Sequence, residues 1–459
     1  MKKRDFIILS CMLLFILVLV IALYTINNSG RNIASEQADI EFTEELHAIA
    51  EDTFDYFLDF TNPETGLTYD LIRLRDGDIR EKGRHTSPTN IGMYFLSVVS
   101  ADYMELITRQ DAVSKIQKTL TTLEELKKWN GLFYNWYYTD GSLKTDWGQF
   151  ISFVDNGWLA AGLIVAGQAY EELSEQTSEI VKTMDFSKLF DPKAGQFHGG
   201  YDVVKGELTQ WHYGMLYTEP RIASYIAIGK GDVNSDHWWK MHRTLPADWD
   251  WQSQIPEGEY VRYGNTMVFQ GHYDYMGVSF VPSWGGSMFE ALMPGLVLKE
   301  KELGAKALGL NNKRHVDLQI KFSEQKGYPA WGFSPAATPD GYSEFGVAAL
   351  GASGYEDRAT VTAHAAFLAL EYAPTQVREN IKALKELQSY GQYGFYDTVN
   401  VLTKRVTEAY LALNQGMIMG SIANYLFDGV IRRYFHESEI GKAYEWLLEQ
   451  EEFLLPKVP

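Results

Sequence analysis

Apolar positions recur at helical spacing along most of the chain. Leu46, Ile49, Ala50, Phe54 and Phe57 share one face of a 3.6-residue repeat. Ser87 and Pro88 supply an N-cap and a first-turn proline ahead of Ile91, Tyr94, Phe95 and Val98. The same period predicts helices over about 111–129, from Asp155 through Trp158, Leu159, Leu163 and Ala166, and over about 219–230, 287–300, 355–371, 375–389, 406–427 and 438–450. Between them lie connectors at 130–154, 190–217, 245–285 and 327–354, rich in glycine and aromatic residues. Loops of that length are functional or disordered, and these are too aromatic to be disordered. No short repeat, charge run or Pro/Ser linker divides the chain. The pattern predicts an all-α fold, a toroid of antiparallel helical hairpins, with the connectors gathered into a site.

The N-terminus follows a different rule. Lys2, Lys3 and Arg4 precede residues 6 to 24, a run without charge. At ~1.5 Å per residue this is about one bilayer crossing. The basic flank favours the cytoplasmic side, and no small-residue cleavage site follows. The expected organisation is a signal-anchor helix over 1–26, a polar tether over 27–41 and an extracytoplasmic domain over 42–455. Cleavage would release that domain as a secreted protein. The single cysteine, Cys11, falls inside the apolar run, so the domain has no thiol. Disulfides, cysteine nucleophiles and cysteine-bound metals are thereby excluded from it.

Composition narrows the chemistry. A formal charge of −19 argues against nucleic-acid partners. Aromatic residues make up 14% of the chain, and every tryptophan but Trp446 lies between Trp129 and Trp331. Residues 133–157 concentrate such rings around Asp140, Asp146 and Asp155. The ten histidines form no H-E-x-x-H motif, and neither a phosphate loop nor a G-x-S-x-G elbow occurs. No metal, nucleotide or other cofactor is expected. Carboxylates and rings remain, and sugars suit both. A pyranose stacks its apolar face on Trp or Tyr, and cleaving a glycosidic bond takes one carboxylic acid plus a second carboxylate.

Seven segments occur in an order that resembles the glucoamylase-like domain family, which includes bacterial endo-β-1,2-glucanases and the cyclising domain of cyclic β-1,2-glucan synthases. They are TSPTNIGMYFLSVVSA (86–101), FYNWY (133–137), ISFVDNGWLAAGL (151–163), TEPRIASYIAIGKGDV (218–233), SWGGSMFEALMPGL (283–296), AWGFSPAATPDGYSEFGVAALG (330–351) and YLALNQGMIMGSIANY (410–425). The stretch 131–163 also resembles an uncharacterised domain of exported bacterial proteins. The resemblance covers roughly 45 to 450 and implies an (α/α)6 barrel acting on a β-linked glucan. It makes Glu219 a catalytic carboxylate, with Asp155 and Asp340 as partners. An aspartate of the glucanases is replaced by Ser152, and a glutamate of the retaining relatives by Pro335, with Glu344 a possible replacement nearby. Trp136, Tyr137, Trp147, Trp211, Trp284 and Trp331 are candidate stacking rings. Asp140, Glu290, Glu344 and Asp397 are candidate substrate-binding carboxylates.

The expected function is a membrane-anchored extracytoplasmic glycoside hydrolase on a β-glucan or related exopolysaccharide. It would work by inversion, with Glu219 as acid and Asp340 or Asp155 as base. The alternatives are a transglycosylase on the same class of polymer and a non-catalytic saccharide-binding or assembly protein.

Overall fold

The structure is a computed structural model that describes residues 38–457. The chain divides into two compact units, Met1–Ile49 and Ala50–Pro459. The first helix among the described residues, α1, covers 38–59. Among the described residues no helix is long and apolar enough to cross a membrane. The expected span at 6–24 lies outside the described residues.

The second unit belongs to the α/α toroid class. Its inner helices are α2 (Pro88–Tyr103), α4 (Phe153–Ala169), α6 (Arg221–Gly229), α8 (Met288–Leu292), α11 (Ala363–Leu368) and α13 (Ala412–Leu426). They form a ring: α2 packs between α4 and α13, α4 also meets α6, and α11 meets α8 and α13. Arg221 closes α6 onto α8 by donating to the carbonyls of Glu290 and Ala291. Outside lie α3 (Arg109–Glu125), α5 (Ser174–Thr183), α7 (Asp236–Lys240), α10 (Leu308–Lys326) and α12 (Pro374–Glu386). They pack on α2, α4, α6, α8 and α11 respectively, and the short α9 (Glu300–Leu303) precedes α10.

Sequence explains the two layers. In α2 every residue from Pro88 to Ala101 is buried, so it has no solvent face to keep polar. α3 buries one stripe only, Ala112, Ile116, Thr119, Leu120 and Leu123. The inner helices approach closely at glycines. A Cβ on Gly92 would strike the Trp158 carbonyl, and one on Gly157 would strike Ala223.

The helices differ from expectation in identifiable ways. The 287–300 prediction holds only as Met288–Leu292 and a 3-10 turn, Met293–Leu296, since Pro294 and Gly295 interrupt it. Likewise 355–371 shortens to Ala363–Leu368 behind a strand at Thr360–Val361. α10 was not predicted. Its inward face carries Asn311, Asn312, Arg314, His315 and Gln319, all buried, so polar side chains hide the apolar period. The connectors are ordered antiparallel hairpins, the longest pairing Glu257–Tyr263 with Thr266–Tyr275. They place short strands in a fold expected to be helical with loops.

Candidate active site

First-turn residues of the inner helices, together with the hairpins that precede them, line two adjoining cavities. Asn90 of α2, Asp155 of α4, Phe289 and Glu290 of α8, and Leu413 of α13 all contribute. The cavities measure about 680 and 840 Å³ and share Glu219, Phe289 and Tyr342. The site therefore lies at the N-terminal ends of the inner helices, where the helix dipoles favour carboxylates. Glu219 sits where the cavities meet.

Arg221, two residues on, fixes the backbone there. Its fully buried guanidinium donates to Glu300 Oε1 and Oε2 at 2.7 and 2.9 Å. It also reaches the carbonyls of Thr218, Glu290 and Ala291 at 3.0, 3.1 and 2.6 Å. Asn312 Nδ2 donates to the same Glu300 at 2.9 Å. One cation thus ties the Glu219 turn to the helix that carries Glu290.

The two glutamates differ in their partners. Glu290 accepts from Ser283 Oγ at 2.8 Å, from the Gly285 amide at 2.9 Å and from the Ser287 amide at 3.3 Å. It completes a capping box with Ser287 at the start of α8. Burial raises its pKa, and these donors pull it back. Against burial Glu219 has its own amide and the Arg221 charge. Burial first, then the neighbouring Glu290 and Asp155 charges, push its pKa up to about 8. Of the pair, Glu219 is the one that holds a proton at neutral pH.

Asp155 borders the second cavity. Ser152 caps α4, accepting from the Asp155 amide at 3.3 Å, so the residue replacing the glucanase aspartate has a structural task. Thr89 Oγ1 donates to Asp155 Oδ1 at 2.6 Å. The Asn135 amide, oriented to satisfy both its neighbours, donates to Oδ2 at 2.9 Å and accepts from Trp136 Nε1 at 3.2 Å. Burial raises the Asp155 pKa despite these bonds. Beside it Asp70 accepts from Asn90 Nδ2 at 2.7 Å and pairs with His85 Nε2 at 3.3 Å. His85 packs edge-on against Trp136 and Trp147.

Asp340 borders the same cavity from the exposed tip of the hairpin Ala336–Thr338/Gly341–Ser343. Pro339 and Asp340 form the turn. Arg73 steadies it by donating to the Thr338 and Gly341 carbonyls at 2.6 and 2.9 Å. The first cavity receives Trp211, Trp284, Glu290, Glu344 and Pro335, and the second Trp136 and Trp147.

Four expected site residues lie elsewhere. Tyr137 is fully buried, and its hydroxyl donates to the Lys127 carbonyl at 2.6 Å. Trp331 is buried, its peptide clasped by the Asn380 amide. Asp140 caps its own turn through Ser142 and borders a separate surface hollow. Asp397 is buried beneath the Asp340 hairpin, accepting from the Ala337 amide and from Asn414 Nδ2. Burial pushes its pKa up to about 7. None of the four borders the two cavities, so none is placed to bind sugar there.

The sequence reading missed Asp70, Tyr342, Tyr355 and the exposed pair Trp249 and Trp251, all of which line the cavities. Trp249, Trp251 and Trp284 form a run of rings with centroids 6.1 and 5.9 Å apart. The W-D-W at 249–251 inside a long connector was the available signal.

Comparison with known proteins agrees with this architecture. Residues 212–439 match the family model described as "Putative glucoamylase", and residues 48–224 match a family described as a protein of unknown function, DUF3131. Cyclic β-(1,2)-glucan synthase NdvB of Rhizobium meliloti is 25% identical, over 89% of this chain and 19% of its own length. The exo β-1,2-glucooligosaccharide sophorohydrolase of Parabacteroides distasonis is 22% identical, over 88% of this chain and 58% of its own. The chain thus spans about a fifth and somewhat over half of these two relatives. The endo-β-1,2-glucanase of Chitinophaga pinensis, solved with sophorotriose and glucose, superimposes with a TM-score of 0.71 at 17% identity. That match covers 88% of this chain and 98% of the glucanase. Residues 212–439 thus match a glucoamylase-like family model, and the chain is similar over most of its length to the β-1,2-glucan synthase named above.

Proposed function

We propose that the chain is a glycoside hydrolase that cleaves internal bonds of a β-glucan, β-1,2-linked or closely related, with inversion. The carrying observation is a partly buried Glu219, its pKa raised, where two ring-lined cavities meet. A trough that continues on both sides of the acid suits a polymer bound across the scissile bond. Glu219 donates its proton to the glycosidic oxygen as the bond from the anomeric carbon to that oxygen breaks. A carboxylate on the second cavity takes a proton from the attacking water. Asp155 has the stronger claim to that role, because Thr89 and Asn135 hold its carboxylate in the cavity wall, whereas Asp340 sits on an exposed turn. Asp340 approaches the same cavity from above. The names of the relatives, a β-1,2-glucan synthase and a β-1,2-glucooligosaccharide hydrolase, support the choice of linkage.

Likeness to a synthase also favours a second reading, transglycosylation, in which a sugar hydroxyl replaces the water. The uncharged run at 6–24 behind Lys2, Lys3 and Arg4 supports membrane anchoring with the domain outside, which protease accessibility in intact cells would test. The test of the function is digestion of β-1,2-glucan followed by NMR of the first products. Inverted anomers and new reducing ends are expected, with turnover lost in Asp155→Asn or Asp340→Asn, whichever is the base. Retained anomers overturn inversion, and longer or cyclic products without new reducing ends establish the transglycosylase. A chain that binds glucan without turnover is an assembly protein.

A further inference from the structure

In the wall of the first cavity, which His212 lines, two histidines and an aspartate converge from neighbouring segments. His198 and His212 face each other across an antiparallel bridge, with ring centroids 4.4 Å apart. Asp191 comes from the neighbouring hairpin, Phe190–Asp191 paired with Gln196–Phe197. His212 Nε2 lies 3.1 Å from Asp191 Oδ2. One ligand atom from each residue falls within 4.8 Å of the other two, and all three side chains are partly buried. Positions 191, 198 and 212 match no linear ligand motif. Only the hairpins bring them together.

The donors are prepared for a cation. His198 Nδ1 is 2.7 Å from the Thr209 carbonyl, which can only accept, so Nδ1 carries hydrogen and neutral His198 offers its Nε2 lone pair. Asp191 Oδ1 accepts from the Lys193 and Ala194 amides at 2.9 and 3.1 Å, which leaves Oδ2 to the histidines.

We propose that Asp191, His198 and His212 bind one zinc-class divalent cation, which fastens the Trp211 strand to the 190–197 hairpin. Bonds of ~2.0–2.1 Å in a tetrahedron put ligand atoms about 3.3 Å apart, close to the His212–Asp191 separation. The remaining approaches close by side-chain rotation, and the proton on His212 Nε2 passes to Nδ1. Two imidazoles with one carboxylate select zinc-class ions over calcium or magnesium. Water completes the shell. The cation's place in the fold defines its effect. His212 follows Trp211 in sequence, and Trp211 lies so close over Gly199, next to His198, that a Cβ there would collide with its ring. Metal binding holds this wall of the trough in place without entering the chemistry at Glu219.

The test uses the untagged full chain, stripped with chelator and dialysed against Zn²⁺ or Ca²⁺, with metal content and thermal unfolding as readouts. Wild type should hold one Zn²⁺ per chain more than His198→Gln or Asp191→Asn, and its melting temperature should rise with Zn²⁺ alone. His272→Gln should keep the ion, since it alters the separate Glu257, His272 and Asp274 cluster. Asp191→Asn retains an oxygen for the Lys193 and Ala194 amides and stands in if His198→Gln does not fold. Equal zinc content in wild type and variants, no zinc in wild type, or loss confined to His272→Gln overturns the site.

Discussion

Glu219 and Glu290 are neighbours of equal chemistry, and they differ chiefly in their hydrogen-bond donors. Two amides and a hydroxyl pull the Glu290 pKa back against burial, and the Glu290 charge helps to raise that of Glu219. Activity should therefore fall as pH rises through about 8, where the acid loses its proton. The pH profile of kcat measures this, and an alkaline limb near an ordinary glutamate value would contradict it. The stability consequence has a definite sign. Because the folded pKa is raised, the native state binds more protons than the unfolded chain between the two values, so stability declines as pH climbs through that window. Glu219→Gln removes the decline, and its melting temperature should exceed that of wild type by a wider margin at pH 8 than at pH 5. At this scale the sequence showed the acids through their motifs. It did not separate trough rings from core rings. Tyr137 and Trp331 look like Trp136 and Trp284 in composition, and their sides are set by the course of the connectors, which no local pattern records.

Among elements, two arginines hold the parts of the site in register. Replacing Arg221 by Met leaves Glu300 buried without its cation, which should cost about 3–5 kcal/mol in denaturant unfolding. A loss below 1 kcal/mol would show that the ion pair does not fasten α6 to α8. Arg73→Ala removes two charged hydrogen bonds from the Asp340 hairpin. If that hairpin presents the base, kcat should drop about tenfold with little change in melting temperature. Unchanged kcat would leave the role to Asp155. α2 was readable because Ser87 and Pro88 mark its start, whereas α4 begins two residues before the expected Asp155 because Ser152 caps it. α10 was unreadable because its buried face pairs polar groups with distant partners, as Asn311 does with the peptide of Val281. No local pattern records such a contact.

Over the whole second unit, alternating helices build a ring whose N-terminal ends open into one trough, with ring surfaces on both sides of Glu219. Trp147 lies at one end and Trp251 at the other, each more than half exposed. Each stacked ring contributes about 0.5–1.5 kcal/mol, so Trp147→Ala and Trp251→Ala should each raise KM for long β-glucans by about three- to tenfold. Short oligosaccharides that reach only one end should be sensitive to one variant and not to the other. Equal sensitivity at all chain lengths would argue against a substrate crossing the acid. The α/α ring was legible from helix period and motif order, whereas the two-ended trough depends on hairpin geometry. The most direct test of the central claim is release of reducing ends from β-1,2-glucan by the full chain, wild type against Glu219→Gln, at pH 6. Glu219 as the proton donor predicts steady release by wild type and a loss of about 10²–10⁴-fold in the folded variant. Undiminished release by Glu219→Gln would contradict it.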